Sequence, residues 1–461
     1  MARDRRAGKV RSNPAACQCR ARGGAALGMR AAGIVPEGQL ALPDLKDDRC
    51  SGRTQCQSIQ GERTLIMQDT EIVLCHPVRT AIGKFGGSLK AIAAPDLGAL
   101  VIGETVRRSG LAPEKVSSVV FGNVIQAGAG MNPARQATLN GGLPESVPAM
   151  TVNRVCGSGA EAIASAARLV RLGEAECVIA GGMENMDQAP YLLDRARWGY
   201  RMGPGRIDDA MLRDGLNDAF SGEHSGWHTE DLVAEHQISR EAQDAWAARS
   251  HQRFSRAQEA SHFADEILPV EVKAKSGNTE FKEDESNRAD ATAEGLAKLR
   301  PAFRKDGTIT AGNAPGLNSG AAAMIVTTAG FAAEHGLEVA ARLVASGVGA
   351  VAPGMFGLGP VPAVQQALER AGWSAGDVER AEINEAFAAI AIAVANELGL
   401  SEDCVNPEGG AIAHGHPIGA TGAILATRLM HSMARDGLRR GLVTLCIGGG
   451  QGIALLLERE G

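Results

Sequence analysis

One order of elements occurs twice in this chain: a glycine-rich loop with a reactive side chain, then a helix of small residues, then a buried strand. The first copy begins at Cys156 and continues through GSGAEAIASAARLVRLG to ECVIAGG; the second begins at His416 and continues through TGAILATRLMHSMARDG to GLVTLCIGGG. Such a repeat indicates two similar halves that bring their loops together. Earlier strands such as TEIVLCHPV alternate with helices such as DLGALVIGETVRRSG. We therefore predict a layered α/β fold with mixed sheets.

Three reactive side chains lie among glycines: Cys156 in NRVCGSG, His416 in GGAIAHGHPIGATG and Cys446 in CIGGGQG. Taken alone, a cysteine is more often a core residue and a histidine more often a structural one. Two cysteines and a histidine in glycine-rich turns are, however, what thioester chemistry with carbon-acid activation requires. The helical pattern after Cys156 places it at or just before a helix N-terminus. There we expect the dipole to lower the thiol pKa from about 8.5 toward neutrality.

Composition and motif content argue against several other classes. The 461 residues are 44% hydrophobic, enough for a large core and more than one structural unit, while the net charge of -6 and 3% aromatic content do not favour nucleic-acid binding. No apolar run reaches the length of a membrane span. His414 and His416 lack a third metal ligand at a known spacing, and GGGQG and GKFGG match no phosphate or dinucleotide loop. We expect no metal, nucleic-acid or membrane partner.

Seven segments occur in the order and spacing of the thiolase family: NRVCGSGAEA, GGMENMDQAP, TAGNAPGLNSGAAA, GPVPA, NEAFA, GGAIAHGHPIGATG and CIGGGQGIAL. The resemblance runs from about Ile72 to Glu460, and among thiolases the chain is most similar to the acetyl-CoA acetyltransferases. It implies a five-layered α-β-α-β-α fold of two duplicated halves with a loop domain over coenzyme A. The N-terminal half, the loop domain and the C-terminal half then fall on residues 69–187 plus 316–339, 188–315 and 340–461.

The family's catalytic roles fall on matching positions. Cys156 resembles the nucleophile that takes the acyl group, and His416 resembles the base that activates it. Cys446 resembles the second cysteine, which exchanges a proton with the alpha carbon of the other acyl-CoA. Asn384 resembles the residue that, with His416, forms an oxyanion hole around a bound water, and the N–H groups of Cys156 and Gly448 would form a second. A Claisen condensation needs two such holes, because negative charge develops on a tetrahedral centre and on an enolate.

The resemblance also implies contacts with CoA. These fall on Arg300, Ala311, Gly312, Pro315 and His224. For Arg300, a solvated surface position is an equally good reading of the sequence. Coenzyme A thioesters are substrates here, so no separate cofactor is implied.

Three positions depart from the pattern of the acetyl-CoA acetyltransferases. Ser225 stands where many have methionine, Phe356 also replaces a methionine, and Pro315 replaces a serine that would hydrogen-bond the pantetheine arm. Proline offers neither a hydroxyl nor an N–H group. Because even one methylene changes discrimination by about 1–3 kcal/mol, these changes bear on the acyl group that the pocket accepts.

Residues 1–68 differ in composition from the rest, with an Arg-rich run that ends at Arg30. We predict a disordered basic extension, because Gly and Pro interrupt any amphipathic helix there. The segment MQDTEIVLCHPVRTAIG, which begins at Met67, resembles the complete N-terminus of a thiolase. We therefore hypothesise that Met67 is the true start of the protein. A cytoplasmic location is expected. RWGYRMGPGRIDDAM resembles the segment through which related enzymes tetramerise, so we expect a homodimer or a homotetramer.

Three functions are compatible with these residues. The first is acetyl-CoA C-acetyltransferase activity, which makes or cleaves acetoacetyl-CoA or another short 3-oxoacyl-CoA. The second is the same chemistry on longer or dicarboxylic 3-oxoacyl-CoA, such as 3-oxoadipyl-CoA. The third is a CoA or lipid carrier without catalysis, which is expected to lack part of the reactive trio. Cys156, His416 and Cys446 are all present, and a cysteine at the last position disfavours a ketoacyl-ACP synthase.

Overall fold

A computed structural model describes residues 71–274 and 277–460, so the predicted extension, residues 1–68, lies outside the described residues. The strands are β1 (Ile72–Thr80), β2 (Gly83–Lys84), β3 (Ser118–Gly122), β4 (Ala149–Val152), β5 (Cys177–Asn185), β6 (Tyr191–Leu192), β7 (Asp208–Asp209), β8 (Ile267–Leu268), β9 (Val270–Ala274), β10 (Gly277–Phe281), β11 (Asn318–Thr328), β12 (Val339–Ala350), β13 (Arg380–Ile383), β14 (Arg440–Ile447) and β15 (Gln451–Glu458).

The α-helices are α1 (Ala94–Ser109), α2 (Pro133–Asn140), α3 (Ser158–Arg171), α4 (Ser225–Glu235), α5 (Arg240–Glu259), α6 (Ala293–Leu296), α7 (Ala329–Glu334), α8 (Pro360–Ala371), α9 (Ala388–Leu398), α10 (Ala411–His414) and α11 (Thr421–Asp436). Short 3-10 turns cover Pro113–Lys115, Met186–Gln188, Pro353–Leu358 and Ala375–Asp377, and Met211–Leu216 form a π turn.

The strand order repeats between the two halves. In the first half β4, β3 and β5 are parallel neighbours, and β11 and then β1 continue antiparallel. In the second half Val405 bridges Ala381 of β13 in parallel, β14 lies parallel to β13, and β15 and β12 continue antiparallel. The halves meet where β1 pairs antiparallel with β12. The duplication predicted from the sequence is thus visible in the hydrogen-bond pattern.

Helices cover both faces of each half, as the predicted layers require. Leu74 and Ile453 face a central apolar cluster that contains α3 and α11. Their neighbours face outward instead: Val73 packs toward α1 and α2, and Ala454 toward α8 and α9. This alternation is what strands with both faces buried produce. The layered α/β fold predicted from the sequence is confirmed.

The two central helices approach so closely that only glycine fits between them. A Cβ added at Gly159 of α3 would lie 2.6 Å from the backbone nitrogen of Ala423 in α11. A Cβ at Gly422 of α11 would overlap the backbone nitrogen of Ala160 in α3. Because each helix begins just after a reactive loop, this contact fixes the distance between the Cys156 loop and the His416 loop.

The segment 188–315 contains α4, α5 and α6 together with short strands. The Ser239 hydroxyl accepts the N–H of Ala242 at 3.1 Å and caps α5, as predicted from the sequence. None of the helices in the described ranges combines the length and apolarity that crossing a bilayer demands.

Candidate active site

Cys156 lies in a tight loop between β4 and α3. The preceding residue, Val155, has φ +43°, a left-handed conformation that is strained for a β-branched residue and is typical of functional turns. The Ser158 hydroxyl holds the loop: it accepts the N–H of Arg154 at 2.9 Å and donates to the carbonyl of Val155 at 2.7 Å. Gly157 is the N-cap of α3, so Cys156 lies just before the helix, as predicted.

The expected lowering of the Cys156 pKa is wrong. Burial raises the pKa of this thiol to about 11; the backbone N–H groups of Gly448 and of Cys156 itself oppose that shift, and the Glu184 carboxyl adds to it. Removal from water outweighs the dipole of one helix terminus, a balance that depends on tertiary burial. In the resting structure Cys156 is therefore a thiol, which needs a base before it can attack a thioester.

His416 has the hydrogen bonds of such a base. Its Nδ1 lies 2.7 Å from the Thr421 hydroxyl, and that hydroxyl donates to the carbonyl of Pro417 at 2.9 Å. Because the Thr421 hydroxyl donates its proton to Pro417, it can only accept a hydrogen bond from the imidazole. The ring proton is therefore assigned to Nδ1, and Nε2 carries the lone pair. Burial lowers the pKa of His416 to about 4, so the imidazole is neutral. The Asn318 side chain accepts the backbone N–H of His416 at 2.8 Å.

Asn384 lies beside the reactive nitrogen of His416. Its Nδ2 is 3.3 Å from His416 Nε2, and its backbone N–H donates to Thr444 on β14 at 3.0 Å. The next residue, Glu385, accepts hydrogen bonds from Trp246 Nε1 at 2.9 Å and from the Ser250 hydroxyl at 2.8 Å, both on α5. This carboxylate ties the Asn384 turn to the segment 188–315.

Cys446 is buried near the end of β14. Burial raises the pKa of its thiol well above the ordinary value, and the nearby Cys156 thiol raises it further. The Cys156 thiol is therefore close enough to affect the ionisation of Cys446. Cys446 is not among the residues that line the cavity at Cys156.

A pocket of about 310 Å³ opens onto Cys156. It is mostly apolar, which suits a ligand arm and excludes water. Five of the residues predicted from the sequence line it, namely Cys156, His416, Gly448, His224 and Pro315. Parts of the chain separated by hundreds of residues thus meet at one cavity.

Comparison with known proteins decides the family. Residues 72–330 match "Thiolase, N-terminal domain" and residues 337–459 match "Thiolase, C-terminal domain". The chain belongs to the thiolase family. It is 49% identical over 395 residues to an acetyl-CoA acetyltransferase of Pseudomonas aeruginosa, which covers 86% of this chain and 100% of the relative. It is also 49% identical to an acetyl-CoA acetyltransferase of Escherichia coli, with 84% of this chain and 98% of the relative covered.

Solved structures of thiolases have the same fold. The Bacillus anthracis acetyl-CoA acetyltransferase superposes with a TM-score of 0.83 at 43% identity, covering 84% of this chain and 98% of that one. The human mitochondrial 3-ketoacyl-CoA thiolase superposes with a TM-score of 0.82 at 39% identity, covering 85% of this chain and 99% of that one.

Three predicted CoA contacts of this thiolase lie away from the pocket. Arg300 and Ala311 are exposed. Gly312 is buried, and a Cβ there would lie 2.5 Å from the Leu299 side chain, so its need for glycine comes from packing. Since none of the three residues lines the pocket, their contacts with CoA remain predictions.

His224 and Pro315 line the pocket together with the positions that depart from the acetyltransferase pattern. His224 caps α4 by accepting the N–H of Gly226 at 3.0 Å, and its ring stacks on Phe303 at 4.5 Å. Burial lowers the pKa of His224 to about 4. Ser225 and Phe356 both face the same cavity, so the predicted changes lie where a bound acyl-CoA would contact them.

Several residues that shape the site were not predicted from the sequence. Thr421 fixes the His416 tautomer, and Asn318 holds its backbone. Glu184 accepts the backbone N–H of Gly419, three residues after His416, at 2.9 Å. Thr421 lies inside the quoted GATG segment and Glu184 inside GGMEN, so the motifs contained them without indicating their partners.

Within the ranges 71–274 and 277–460, no group of three or more His, Cys, Asp or Glu side chains is placed to hold a metal ion. His414 is fully buried, and burial lowers its pKa well below the ordinary value. Its neighbour in the HGH segment, His416, is committed to Thr421 and Asn384.

Proposed function

We propose that this thiolase is an acetyl-CoA C-acetyltransferase that makes or cleaves acetoacetyl-CoA, or another short 3-oxoacyl-CoA, through an acyl-cysteine intermediate. One observation carries the proposal: Cys156 and the neutral His416 line one mostly apolar pocket, and the Cys446 thiol is close enough to Cys156 for its pKa to be raised by it. The 49% identity to acetyl-CoA acetyltransferases over nearly their whole lengths supports the acetyl group as the unit transferred.

In the first half-reaction His416 Nε2 takes the proton of Cys156, and the thiolate attacks the carbonyl of acetyl-CoA. The proposed oxyanion hole consists of the N–H groups of Cys156 and Gly448, and the hydrogen bonds of these groups to the Cys156 sulfur support the proposal. Collapse of the tetrahedral species breaks the bond to the CoA sulfur and leaves acetyl-Cys156. The CoA thiolate leaves with the proton of Cys446, so the site then holds the His416 imidazolium and the Cys446 thiolate.

In the second half-reaction the Cys446 thiolate removes an alpha proton from a second acetyl-CoA. We propose that the enolate oxygen is held by the His416 imidazolium and by a water bound to Asn384 Nδ2, and that its alpha carbon attacks acetyl-Cys156. The Cys156 thiolate departs and takes back the proton from His416, which returns all three groups to their starting states. Cleavage of acetoacetyl-CoA by CoA is the same sequence reversed. The chemistry requires no cofactor beyond the CoA thioesters, and we propose that none is used.

A second candidate is cleavage of a longer or dicarboxylic 3-oxoacyl-CoA, as in fatty-acid or aromatic degradation. The observation that favours it is the small Ser225 side chain in the pocket wall, where a methionine would fill more of the space. The similarity to the human mitochondrial 3-ketoacyl-CoA thiolase is compatible with either substrate.

We further propose that the enzyme works in cytoplasmic lipid metabolism as a homodimer or homotetramer. The segment that resembles the family's tetramerisation region exposes large apolar side chains. Trp198 is 86% exposed and Met202 89% exposed, values that favour burial in an assembly.

The deciding experiment is CoA-dependent cleavage of a 3-oxoacyl-CoA series, from acetoacetyl-CoA through medium chains to 3-oxoadipyl-CoA, by the purified full chain. We expect the highest kcat/KM with acetoacetyl-CoA and none with Cys156→Ala. A maximum at a longer or dicarboxylic substrate would establish the second candidate. Absence of cleavage across the series would reject both and favour a carrier.

A further inference from the structure

The duplicated strands and central helices give three of the catalytic residues a counterpart in the other half. In the first half Gly122 of β3 lies opposite Gly182 of β5, and in the second Ile383 of β13 lies opposite Thr444 of β14. The residue after β3 and the residue after β13 are both asparagines, Asn123 and Asn384. Two residues beyond Gly182 and Thr444 come Glu184 and Cys446. By register, therefore, Glu184 is the counterpart of the second cysteine.

The central helices supply the third correspondence. Gly159 of α3 and Gly422 of α11 are the matched points of closest approach between these helices. Three residues before each of them come Cys156 and Gly419. The catalytic set Cys156, Asn384 and Cys446 thus has a mate site, which we define as Gly419, Asn123 and Glu184. The mate site has no nucleophile, because glycine occupies that position.

In the mate site, both carboxylate oxygens of Glu184 accept hydrogen bonds. Its Oε1 accepts from Asn123 Nδ2 at 2.8 Å and from the N–H of Ile125 at 3.2 Å. Its Oε2 accepts from the N–H groups of Val124 at 3.0 Å and Gly419 at 2.9 Å. The side chain is 0% exposed. Because every partner is an N–H donor, the geometry suits an ionised carboxylate, and a Cβ at Gly419 would lie 2.6 Å from Oε2.

This carboxylate reaches the active site in two ways. The N–H group of Gly419 follows Ile418, which lines the substrate pocket and packs in one cluster with Val124 and Ile125 beside Cys156. Glu184 therefore holds together a loop from each half where they meet under the nucleophile. When ionised, Glu184 also adds to the rise in the pKa of the Cys156 thiol, of which burial is the main cause.

We propose that Glu184 is a positioning residue of this thiolase: its carboxylate clasps the His416 loop, through Gly419, to residues 123–125 beneath the nucleophile, close enough for its charge to act on Cys156. The catalytic part rests on the proposed function; the effect on the thiol does not.

Other titratable groups surround the same sulfur. Those that line its pocket are Arg213, Asp214, Asp218, His224, His228 and His416, and the Cys446 thiol is also close enough to interact with it. Glu184 itself has its pKa raised to about 7 by burial, against the opposing effect of its four N–H donors. Around pH 7 Glu184 is therefore only partly ionised, and further acidification would place an O–H group against an N–H group and loosen the clasp.

The test uses Glu184→Gln in the full chain. We expect the pH midpoint for iodoacetamide alkylation of Cys156, read by mass spectrometry, to fall by about one pH unit when the charge is removed. We expect kcat for cleavage to fall at least tenfold, because one amide oxygen cannot accept all four N–H groups, while KM changes little. An unchanged alkylation midpoint would overturn the proposal, even if kcat falls.

Glu382→Gln is the matched control. Glu382 is a buried carboxyl, 1% exposed, on β13, and it is not among the groups that shift the Cys156 pKa. Its variant is expected to keep the wild-type alkylation midpoint, and an equal shift there would also overturn the proposal.

Glu184→Asp separates charge from reach. The aspartate keeps the charge but is one methylene shorter. The proposal therefore requires this variant to have the wild-type pH midpoint for alkylation of Cys156 and a reduced kcat. If Glu184→Gln does not fold, this variant carries the test alone, and a lowered midpoint would contradict the proposal. Wild-type protein that lacks cleavage activity would reject the proposed function but leave the alkylation test valid.

Discussion

Asn384 Nδ2 lies 3.3 Å from His416 Nε2, on the side of the imidazole opposite the Thr421 hydroxyl. The ring thus donates from Nδ1 to the Thr421 hydroxyl and has the Asn384 amide beside Nε2. One nitrogen is oriented by the protein, and the other is free to exchange a proton with the substrate side of the site. The amide of Asn384 supplies a donor to the same space, which is the arrangement needed where an enolate oxygen forms.

Asn384→Ala removes that donor. We expect kcat to fall about 10²- to 10³-fold, the usual effect of deleting one oxyanion-hole donor. Acylation of Cys156 by acetyl-CoA is expected to change much less, since its oxyanion is held by backbone N–H groups. Single-turnover labelling with radioactive acetyl-CoA, compared with steady-state condensation, measures the two steps. Equal losses in both would argue against separate holes.

Thr421→Val removes the acceptor for the His416 Nδ1 proton while keeping the shape of the side chain. The imidazole can then adopt the other tautomer, with a proton on Nε2 where the base must be empty, so we expect kcat to fall on the order of 10²-fold. Thr427→Val is the matched control, because Thr427 lies on the same helix and donates to Ala423 at 2.9 Å away from the site. Similar losses in both variants would point to a disturbed helix rather than a tautomer.

The two cysteines are expected to fail at different steps. Cys156→Ala removes the nucleophile, so no acyl-enzyme forms. Cys446→Ala leaves the nucleophile and His416 in place, so we expect it to acylate from a reactive thioester but not to condense. Intact-mass spectrometry after mixing with a reactive acetyl thioester, whose thiol departs without a proton from Cys446, detects the added acetyl group. An acetylated Cys156→Ala protein, with the acetyl group on another cysteine, would refute the nucleophile assignment.

Protonation of His416 ties stability to pH. Its pKa is about 4 when folded against an ordinary 6.5, so the unfolded chain binds a proton first as the pH falls. The contribution to stability is therefore complete above about pH 6.5 and is lost as the pH drops toward 4, amounting to about 3 kcal/mol at most. Urea unfolding of wild type and His416→Asn at pH 7 and pH 4.5 measures it. We expect the wild type to lose more stability than the variant; parallel losses would exclude a buried neutral histidine.

Ser225→Met tests the origin of acyl preference. The longer side chain fills part of the pocket that the serine leaves open, so kcat/KM for medium-chain substrates is expected to fall relative to acetoacetyl-CoA, by about 10-fold or more. The ratio of the two kcat/KM values is the measurement, since it is insensitive to the fraction of active enzyme. An unchanged ratio would place the acyl group elsewhere in the pocket.

Local features of the sequence predicted local features of the fold. The start of α3 just after Cys156 and the Ser239 cap of α5 follow from patterns within a few residues, and the two-half arrangement follows from a repeat of elements. The raised pKa of Cys156 could not be predicted in this way, because it depends on burial by residues from both halves.

The supports of the site were also beyond local reasoning. Asn318 is 98 residues from His416 and Glu184 is 235 residues from Gly419, so no short spacing indicates these contacts. Polar residues inside a glycine-rich motif have many possible partners, and only the tertiary structure selects one. For the same reason Arg300, Ala311 and Gly312 could be assigned by resemblance, yet none of them lines the pocket.

The pairing of β1 with β12 has the geometry of a two-fold subunit interface enclosed within one polypeptide. Such an axis relates two equivalent places, one on each side of it. At one place these positions hold the thiols of Cys156 and Cys446, and at the other they hold Gly419 and the carboxylate of Glu184. The fold therefore offers two equivalent places but has reactive thiols at only one of them, and neither half contains a complete centre of its own.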